Sequence, residues 1–425
     1  MTSRGSMGRG TLAVLATPTL GLSLAVTIVA AFVPLLVRDY TTSNTVAGLI
    51  VGGEGLMALF LPLLLGTLSD RTRTRLGSRL PYVLAGAPLA TGALAALPFA
   101  PSLWTLATLV GLFYVGYYVC YTPYRALFPD LVPRRQLARS QGVQTIFREI
   151  GLGLALAGGP LLVAAWEPLA FVLGAVALAG TTALFVVRIR RRACDAAASE
   201  DPPEDAGAGG RAHARPLLQV LREHRDVRRV LVANALWELA LGALRAFVVL
   251  YVVVGLGRSN LSASALLGAV AAVAVVAAPV AGFLGDRFGT VRVMRVALLV
   301  YGAGLLLPAF TRSIWVLAPA LPLIGFGGAV AMTLPYALVA ERQPRRSHGA
   351  ASGLYDLSRG LGVLAGPVLA GAAVDLARPW MADTRGYGAV WIVAGSSVLV
   401  SLPLLSGITS PARTSSPGSS AEQEA

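Results

Sequence analysis

The sequence GTLSDRTRTRLGSR occupies residues 66–79, and a similar sequence, GFLGDRFGTVRVMR, occupies residues 282–295. Each is a short basic segment between two apolar stretches that are long enough to cross a bilayer, which takes about 20 residues of helix. A second pair of similar segments begins at Pro123 and at Pro335. The two pairs are offset by 216 and 212 residues, and two matches at nearly one offset indicate that the chain is a duplication of one unit.

The rest of the chain is far more apolar than a soluble protein. Of its 425 residues, 55% are hydrophobic and 13% are charged, whereas soluble proteins are about 25% charged. Lipid is therefore the expected solvent for most of the chain. The apolar runs predict twelve spans, near residues 12–37, 45–68, 81–100, 103–127, 138–163, 168–187, 230–255, 263–285, 294–311, 313–340, 350–374 and 387–407. The first run is too long for the hydrophobic part of a signal peptide, so we expect it to be retained.

The net charge of +14 raises the question of a nucleic-acid partner, which the positions of the arginines answer. With both termini inside the cell, 27 of the 35 basic residues fall in inner segments and five in outer loops. This excess follows the positive-inside rule. We therefore predict a multi-pass protein of the cytoplasmic membrane, with both termini cytoplasmic and no nucleic-acid partner.

The duplication and the spans predict the domain organisation. Residues 1–187 form a first six-helix bundle and residues 230–407 a second, related to it by pseudo-symmetry. Residues 188–229 form a cytoplasmic linker, whose middle, SEDPPEDAGAGG, has the composition of a disordered segment. The later part of the linker, RPLLQVLREHRDVRRV, has the pattern of an amphipathic helix. Residues 408–425 form a disordered tail. The fold class is thus an all-α polytopic membrane protein.

Several residues of the two basic loops form a recognisable motif. In the first half they are Gly66, Ser69, Asp70, Arg71, Arg75, Gly77 and Pro81, followed further on by Arg125-Ala126-Leu127 and Asp130-Leu131. This pattern, repeated after the eighth span, resembles the major facilitator superfamily over nearly the whole chain, and more narrowly its sucrose and glycoside:cation symporter branch. The resemblance implies the major facilitator fold and solute transport by alternating access, in which two similar bundles rock about a site between them.

The resemblance has two departures. Melibiose-type sodium symporters place an acid-proline pair shortly before the motif glycine, whereas this chain has Leu61-Pro62, so no sodium site carries over. Drug:proton antiporters have a fifth span rich in glycine and proline. Here Gly158-Gly159-Pro160 matches it only in part, and a better match lies in span eleven, at Gly362, Gly366, Pro367 and Gly371. Export therefore stays open as an alternative.

The motif loops are predicted to act as conformational latches. An aspartate in such a loop can accept hydrogen bonds from the start of a neighbouring helix and can pair with an arginine across the bundle. For Arg73, Arg79 and Arg292 we favour the simpler reading that they set topology. The predicted latch residues are Gly66, Asp70, Arg71, Arg75, Gly282, Asp286 and Arg287.

Charged residues also lie well inside the predicted spans. Facing lipid they would cost about 20 kcal/mol together, at roughly 3 kcal/mol each. They must therefore pair or line a wet cavity. The seven residues are Glu54, Arg148, Glu149, Glu238, Arg245, Asp356 and Arg359.

Their spacing predicts how some of them pair. Asp356 and Arg359 are three residues apart on one helical face, so they can pair locally. Arg148 and Glu149 point about 100° apart, so at least one of them should reach another helix. Glu238 and Arg245 lie about 10 Å apart along one helix, so each needs an external partner.

Proton coupling follows from counting these charges. Four acids against three arginines leave one surplus acid, and a carboxyl group in a low-dielectric site has a raised pKa. The first candidates for the coupling acid are Glu54 and Glu149, followed by Glu238. The alternative is a constant ion-pair network. We expect no metal and no cofactor besides the proton, because the three histidines and two cysteines lie apart along the chain.

An aromatic stripe in span four provides candidates for solute contact. Tyrosines suit sugars or rings because they stack and donate hydrogen bonds, although helix packing explains such a stripe equally well. The candidate substrate-binding residues are Tyr114, Tyr117, Tyr118, Tyr121, Asn234, Trp237 and Tyr355.

A secondary transporter is the function that these patterns favour. No nucleophile and base or metal cluster indicates an enzyme. The duplication favours a rocking carrier over a channel or a non-transporting receptor. We expect a monomer that moves a small solute, with sugar or glycoside uptake first and efflux of a drug or secondary metabolite second.

Overall fold

The computed structural model describes residues 8–72, 74, 76–132, 136–198, 225–313, 321–331 and 348–406. Within these ranges the chain forms twelve α-helices and no strand, which confirms the predicted fold class. The helices are α1 (Arg9–Val37), α2 (Asn44–Arg71), α3 (Leu80–Ala96), α4 (Leu103–Leu131), α5 (Leu137–Ala165), α6 (Leu169–Ala198), α7 (Arg225–Leu250), α8 (Asn260–Phe288), α9 (Thr290–Phe310), α10 (Leu321–Ala331), α11 (His348–Ala377) and α12 (Ala389–Ser406).

Ten of these helices are long and apolar enough to span a membrane, while α10 and the apolar part of α12, Ala389–Leu405, are shorter. Prolines occur inside several helices, for example Pro18 and Pro34 in α1. Packed membrane helices tolerate such breaks because neighbouring groups satisfy the freed carbonyls. Helices α6 and α7 extend into the predicted linker, to Ala198 and from Arg225. The acidic middle of the linker and the tail from residue 408 lie outside the described residues.

The short connections alternate between two faces of the bundle. We call them the Asn44 face, where α2 begins, and the Arg71 face, where α2 ends. Helix α1 begins and α12 ends at the Arg71 face. Helix α11 runs antiparallel to α2, since its residue Gly371 lies against Asn44 and its residue Gly360 against Leu59.

In the first half, α1 packs on α5 and α6, and α3 packs on α4 and α6. In the second six, α7 packs on α11 and α12, and α9 packs on α12. Contacts between the halves run through α2 with α11, α5 with α8 and α1 with α7. The functional region is therefore expected along these contacts between halves.

Helices α2 and α11 approach each other closely towards the Asn44 face. A methyl group at Gly48 would collide with the carbonyl oxygen of Pro367, and one at Gly55 would collide with the backbone at Leu364. Helices α5 and α8 also meet nearer this face, where Gly153 lies against Ala271. Small residues at such positions let backbones pack closely. The two halves therefore pack closely against each other on the side of the Asn44 face.

Candidate transport site

A cavity of about 330 Å³ lies between the halves towards the Arg71 face. Its walls come from α2, α4 and α11, and Arg125 in its wall is exposed, so the cavity communicates with the surroundings. Helices α2 and α11 touch at Gly55 and Gly360, and the residues of both helices just beyond this contact, towards the Arg71 face, line the cavity. The lining residues are Ala58, Leu59, Pro62, Leu63, Tyr118, Tyr121, Thr122, Arg125, Ala126, Asp356, Leu357 and Arg359.

One ion pair connects the two halves beside this cavity. Nη1 of Arg245 in α7 lies 3.9 Å from Oε2 of Glu54 in α2, and these side chains are only 15% and 4% exposed. A buried carboxylate without a counter-charge is costly, so each group holds the other in place. The pair joins the first half of the chain to the second at the end of the close α2–α11 contact.

A second ion pair lies within the second half. Nε of Arg359 in α11 is 3.7 Å from Oε1 of Glu238 in α7. Glu238 and Arg245 therefore each have a partner on another helix, as their separation along α7 requires. The local pair of Asp356 with Arg359, suggested by their spacing, is not the one observed, because Arg359 reaches across to α7 instead. Asp356 lies in the cavity wall.

The third ion pair contradicts the sequence argument about α5. Nη2 and Nε of Arg148 donate to Oε1 of its neighbour Glu149, at 2.9 and 3.1 Å. Adjacent Cα–Cβ bonds do diverge, but the long arginine side chain folds along the helix surface and closes the gap. The Arg148 side chain is 47% exposed, so this pair is less buried than the other two.

The tyrosines of α4 divide into two groups. Tyr118 and Tyr121 line the cavity. Tyr114 is buried and donates a hydrogen bond to the carbonyl oxygen of Val51 at 3.3 Å. Tyr117 is buried as well, and its ring stacks on that of Tyr121 with centroids 5.3 Å apart. The stripe is thus partly helix packing and partly cavity wall.

The polar candidates of α7 serve helix packing in this structure. Nδ2 of Asn234 donates to Oγ of Ser358 at 2.8 Å, and Nε1 of Trp237 donates to Oγ of Ser401 at 2.7 Å. Both side chains are buried at contacts of α7 with α11 and α12. The side chain of Tyr355 lies outside the described residues.

Arg125 is the cavity residue that sequence reasoning missed. It lies near the end of predicted span four (103–127) and is not among the seven embedded charges, yet α4 continues to Leu131 and holds Arg125 in the cavity wall. Its guanidinium lies over the ring of Tyr121, 5.6 Å from the centroid. The spacing of four residues between Tyr121 and Arg125 was the available signal, because such residues share a helical face. Arg125 is a fourth arginine against the four acids, so the argument from a surplus acid no longer holds.

The latch loops are described only in part. Arg75 lies outside the described residues, as do the side chains of Asp70 and Asp286 and the surroundings of Gly282, so the predicted latch contacts stay predictions. Arg71 and Arg287 are exposed at the ends of α2 and α8. Arg79, expected to set topology only, also donates to the carbonyl oxygen of Ala126 in α4.

No group of three or more His, Cys, Asp or Glu side chains in the described part of the chain is arranged to hold a metal ion. The cavity chemistry is instead that of arginines, carboxylates and tyrosine rings. Such a site can orient a small polar solute by hydrogen bonds and ring contacts.

Comparison with known proteins agrees with this architecture. A family model described as MFS/sugar transport protein matches residues 14–378. Multidrug resistance protein MdtG of Dickeya zeae is 28% identical over 196 residues, which cover 45% of this chain and 46% of that protein. The uncharacterized transporter YebQ of Escherichia coli (strain K12) is 34% identical over 95 residues, covering 22% of this chain and 21% of that one. The chain thus spans less than half of the length of these curated relatives.

Solved structures share the fold. A bacterial homolog of the human lysosomal transporter Spinster, in an inward-facing and unoccupied conformation, superposes with a TM-score of 0.73 at 13% identity, over 93% of this chain and 95% of that one. The nucleoside transporter NupG superposes with a TM-score of 0.72 at 13% identity, over 93% and 97%.

The architecture of two helical halves around a cavity is therefore the transporter fold that these solved structures share. The chain belongs to the MFS/sugar transport protein family of the major facilitator superfamily.

Proposed function

We propose that this protein carries a small polar organic solute, a sugar or glycoside first, through the cavity by alternating access coupled to protons. The observation that carries the proposal is the cavity itself, whose wall combines Tyr118, Tyr121 and Thr122 of the first half with Asp356 and Arg359 of the second. Rings and hydroxyl groups suit the faces and hydroxyls of a sugar. A site built from both halves is also what a rocking carrier needs.

The pair of Glu54 with Arg245 is the proposed coupling element. It connects the two halves and is buried, so protonation of Glu54 would remove the attraction between them and free Arg245. Glu238 is the second candidate because it pairs with the cavity residue Arg359. Glu149 differs from both, since its partner is its own neighbour in α5 and the pair does not join the two halves.

The experiment is transport in proteoliposomes with a pH-sensitive dye inside. Sugars, glycosides, nucleosides and aromatic metabolites are first screened for binding to the purified protein. For a solute that binds, wild type should acidify or alkalinise the lumen when the solute moves. Glu54→Gln should abolish this proton movement but keep solute exchange between the two sides, with Glu149→Gln as the comparison. Solute-driven proton flux that survives in Glu54→Gln and in Glu238→Gln would contradict the coupling proposal.

Export is the second candidate function. It is favoured by the relative named Multidrug resistance protein MdtG, although the match covers less than half of either chain. The two directions are distinguished by imposing a pH gradient of each sign on the same proteoliposomes. Solute accumulation while protons move in the same direction as the solute supports uptake. Solute accumulation while protons move in the opposite direction supports export.

The proposed location is the cytoplasmic membrane, with the Arg71 face inside and the protein acting as a monomer. The start of α1 and the end of α12 lie at that face, and most of the arginines lie in the segments that end there. Cysteines introduced at Thr74 and at Glu167 of a cysteine-free variant should react with a membrane-impermeant reagent in whole cells only at Glu167. Labelling of Thr74 instead would reverse the topology.

A further inference from the structure

The end of α11 is bonded to the start of α2 at the Asn44 face. The carboxylate of Asp375 accepts hydrogen bonds from the backbone N–H groups of Asn44 and Thr45 at 3.0 and 2.8 Å. It also accepts bonds from the side chains of Ser43, Asn44 and Thr45 at 3.2, 2.9 and 2.8 Å. The first N–H groups of a helix have no partner within the helix and carry partial positive charge, so this carboxylate satisfies them particularly well.

Two neighbouring residues support this contact. Nη2 of Arg378 lies 3.5 Å from Oδ1 of Asp375 and also donates to the carbonyl oxygen of Thr42. The hydroxyl of Tyr387, in the loop before α12, donates to Oδ1 of Asn44 at 2.9 Å. Burial raises the pKa of Tyr387, so this hydroxyl keeps its proton. We call Asp375, Arg378 and Tyr387, with the helix start 42–45, the Asp375 clasp.

The clasp joins the two halves at the Asn44 face, which is the side where α2 and α11 pack closely. Residues 42–45 belong to the first half and Asp375, Arg378 and Tyr387 to the second. Next to the clasp, Gly48 and Gly371 bring α2 and α11 together, whereas towards the Arg71 face the cavity separates the same helices. A movement that opens the site to the Asn44 face must part α2 from α11 here, and therefore break these hydrogen bonds.

We propose that Asp375 is a conformational lock that holds the transporter open to the Arg71 face. The two helices are antiparallel, and each has an aspartate close to its last residue: Asp70 is one residue before the end of α2 and Asp375 two before the end of α11. Each aspartate is thus at the same face as the start of the other helix. This inference rests on the alternating access proposed above and not on the identity of the solute.

The test measures the two faces separately in the full-length protein in lipid nanodiscs. Cys120 and Cys194 are replaced by serine, and spin labels are attached at Glu167→Cys and Arg258→Cys for the Asn44 face, or at Thr74→Cys and Asp226→Cys for the Arg71 face. Pulsed electron spin resonance then gives the distance distribution of each pair. Asp375→Ala should raise the ratio of Asn44-open to Arg71-open molecules by about tenfold or more, because charge-assisted hydrogen bonds are about twice as strong as neutral ones. Asp375→Asn keeps one acceptor oxygen and should shift the ratio less.

Asp383→Asn is the matched control. Asp383 lies in the same loop region, but it is exposed and pairs with Arg312 at 3.1 Å, so its replacement should leave both distances unchanged. If Asp375→Ala and Asp375→Asn lower the thermal stability but leave both distance distributions as in wild type, Asp375 is only a helix cap and the inference is overturned. Asp375→Asn serves alone if Asp375→Ala does not fold.

Failure of the clasp and failure of the proposed function give different results. A wild type that moves solute, with variants whose distances do not change, overturns the clasp alone. A protein that moves none of the solutes, yet shows the shift that depends on Asp375, supports the clasp and contradicts the transport proposal.

Discussion

The two ends of the α2–α11 contact are built from different residues. Towards the Asn44 face, Gly48 and Gly55 let the backbones touch, and the Asp375 clasp closes the end with hydrogen bonds to a helix start. Towards the Arg71 face, the same helices carry Pro62 and Asp356 on opposite walls of a cavity. Small residues and satisfied backbone groups allow close packing, whereas charged walls require water, counter-charges or a solute. Four sets of substitutions test this difference, in order of their expected effect on stability.

Breaking the ion pair at the boundary of the two regions should have the largest effect. Arg245→Leu leaves the Glu54 carboxylate buried without a counter-charge, so we expect the free energy of unfolding to fall by about 3–5 kcal/mol. Unfolding in detergent by denaturant measures this loss. The double variant Glu54→Gln/Arg245→Leu should recover most of the stability without recovering transport. A stable Arg245→Leu protein would show that Glu54 is not held by this pair.

Enlarging Gly55 in the close contact of α2 with α11 should have the second-largest effect on stability. A methyl group at Gly55 would meet the backbone of Leu364 and Gly360, so Gly55→Ala should cost about 1–3 kcal/mol by overpacking. It should also shift the protein towards opening at the Asn44 face. Gly53→Ala is the matched control, because a methyl group there meets no atom within 4 Å. Equal melting temperatures of the two variants would contradict the close approach.

Two tyrosines of α4 separate packing from solute contact. Tyr124 is buried, and its hydroxyl donates to the carbonyl oxygen of Leu15 at 2.7 Å and lies 2.9 Å from Oγ1 of Thr19. Tyr124→Phe should therefore cost about 1 kcal/mol of stability and leave the transport KM unchanged. Tyr121→Phe should leave the stability unchanged and raise the transport KM, because Tyr121 lines the cavity. Thermal unfolding and transport kinetics of both variants measure this, and the reverse result would assign Tyr121 to packing.

Arg125→Gln should have the smallest effect on stability, within about 0.5 kcal/mol, because the side chain is exposed in the cavity wall. Its effect on solute binding should be large, since a charged donor over the Tyr121 ring is lost. Isothermal titration with the identified solute measures the change in affinity. An unchanged affinity would place Arg125 outside the binding region.

Much of the fold followed from the sequence alone. Eleven of the described helices match the predicted apolar runs, and α10 lies within the run at 313–340, most of which is outside the described residues. A backbone in lipid must satisfy its own hydrogen bonds and does so as a helix. The requirement that Glu238 and Arg245 each find a partner on another helix also followed from their spacing. The pairing of the adjacent residues Arg148 and Glu149 was predicted wrongly. The length of the Arg148 side chain outweighs the angle between the Cα–Cβ bonds of the two residues.

The sequence by itself determined the helical spans and seven of the charged residues inside them, because lipid penalises every unpaired charge and every free backbone group. Only the tertiary structure decided which charges pair. Glu54 with Arg245, and Glu238 with Arg359, join residues far apart in the chain, and periodicity along one helix carries no information about the helix that faces it. The same holds for Arg125. Its place near the end of span four did not show that it faces the cavity, whereas the tertiary structure puts it in a wall that α2, α4 and α11 form together.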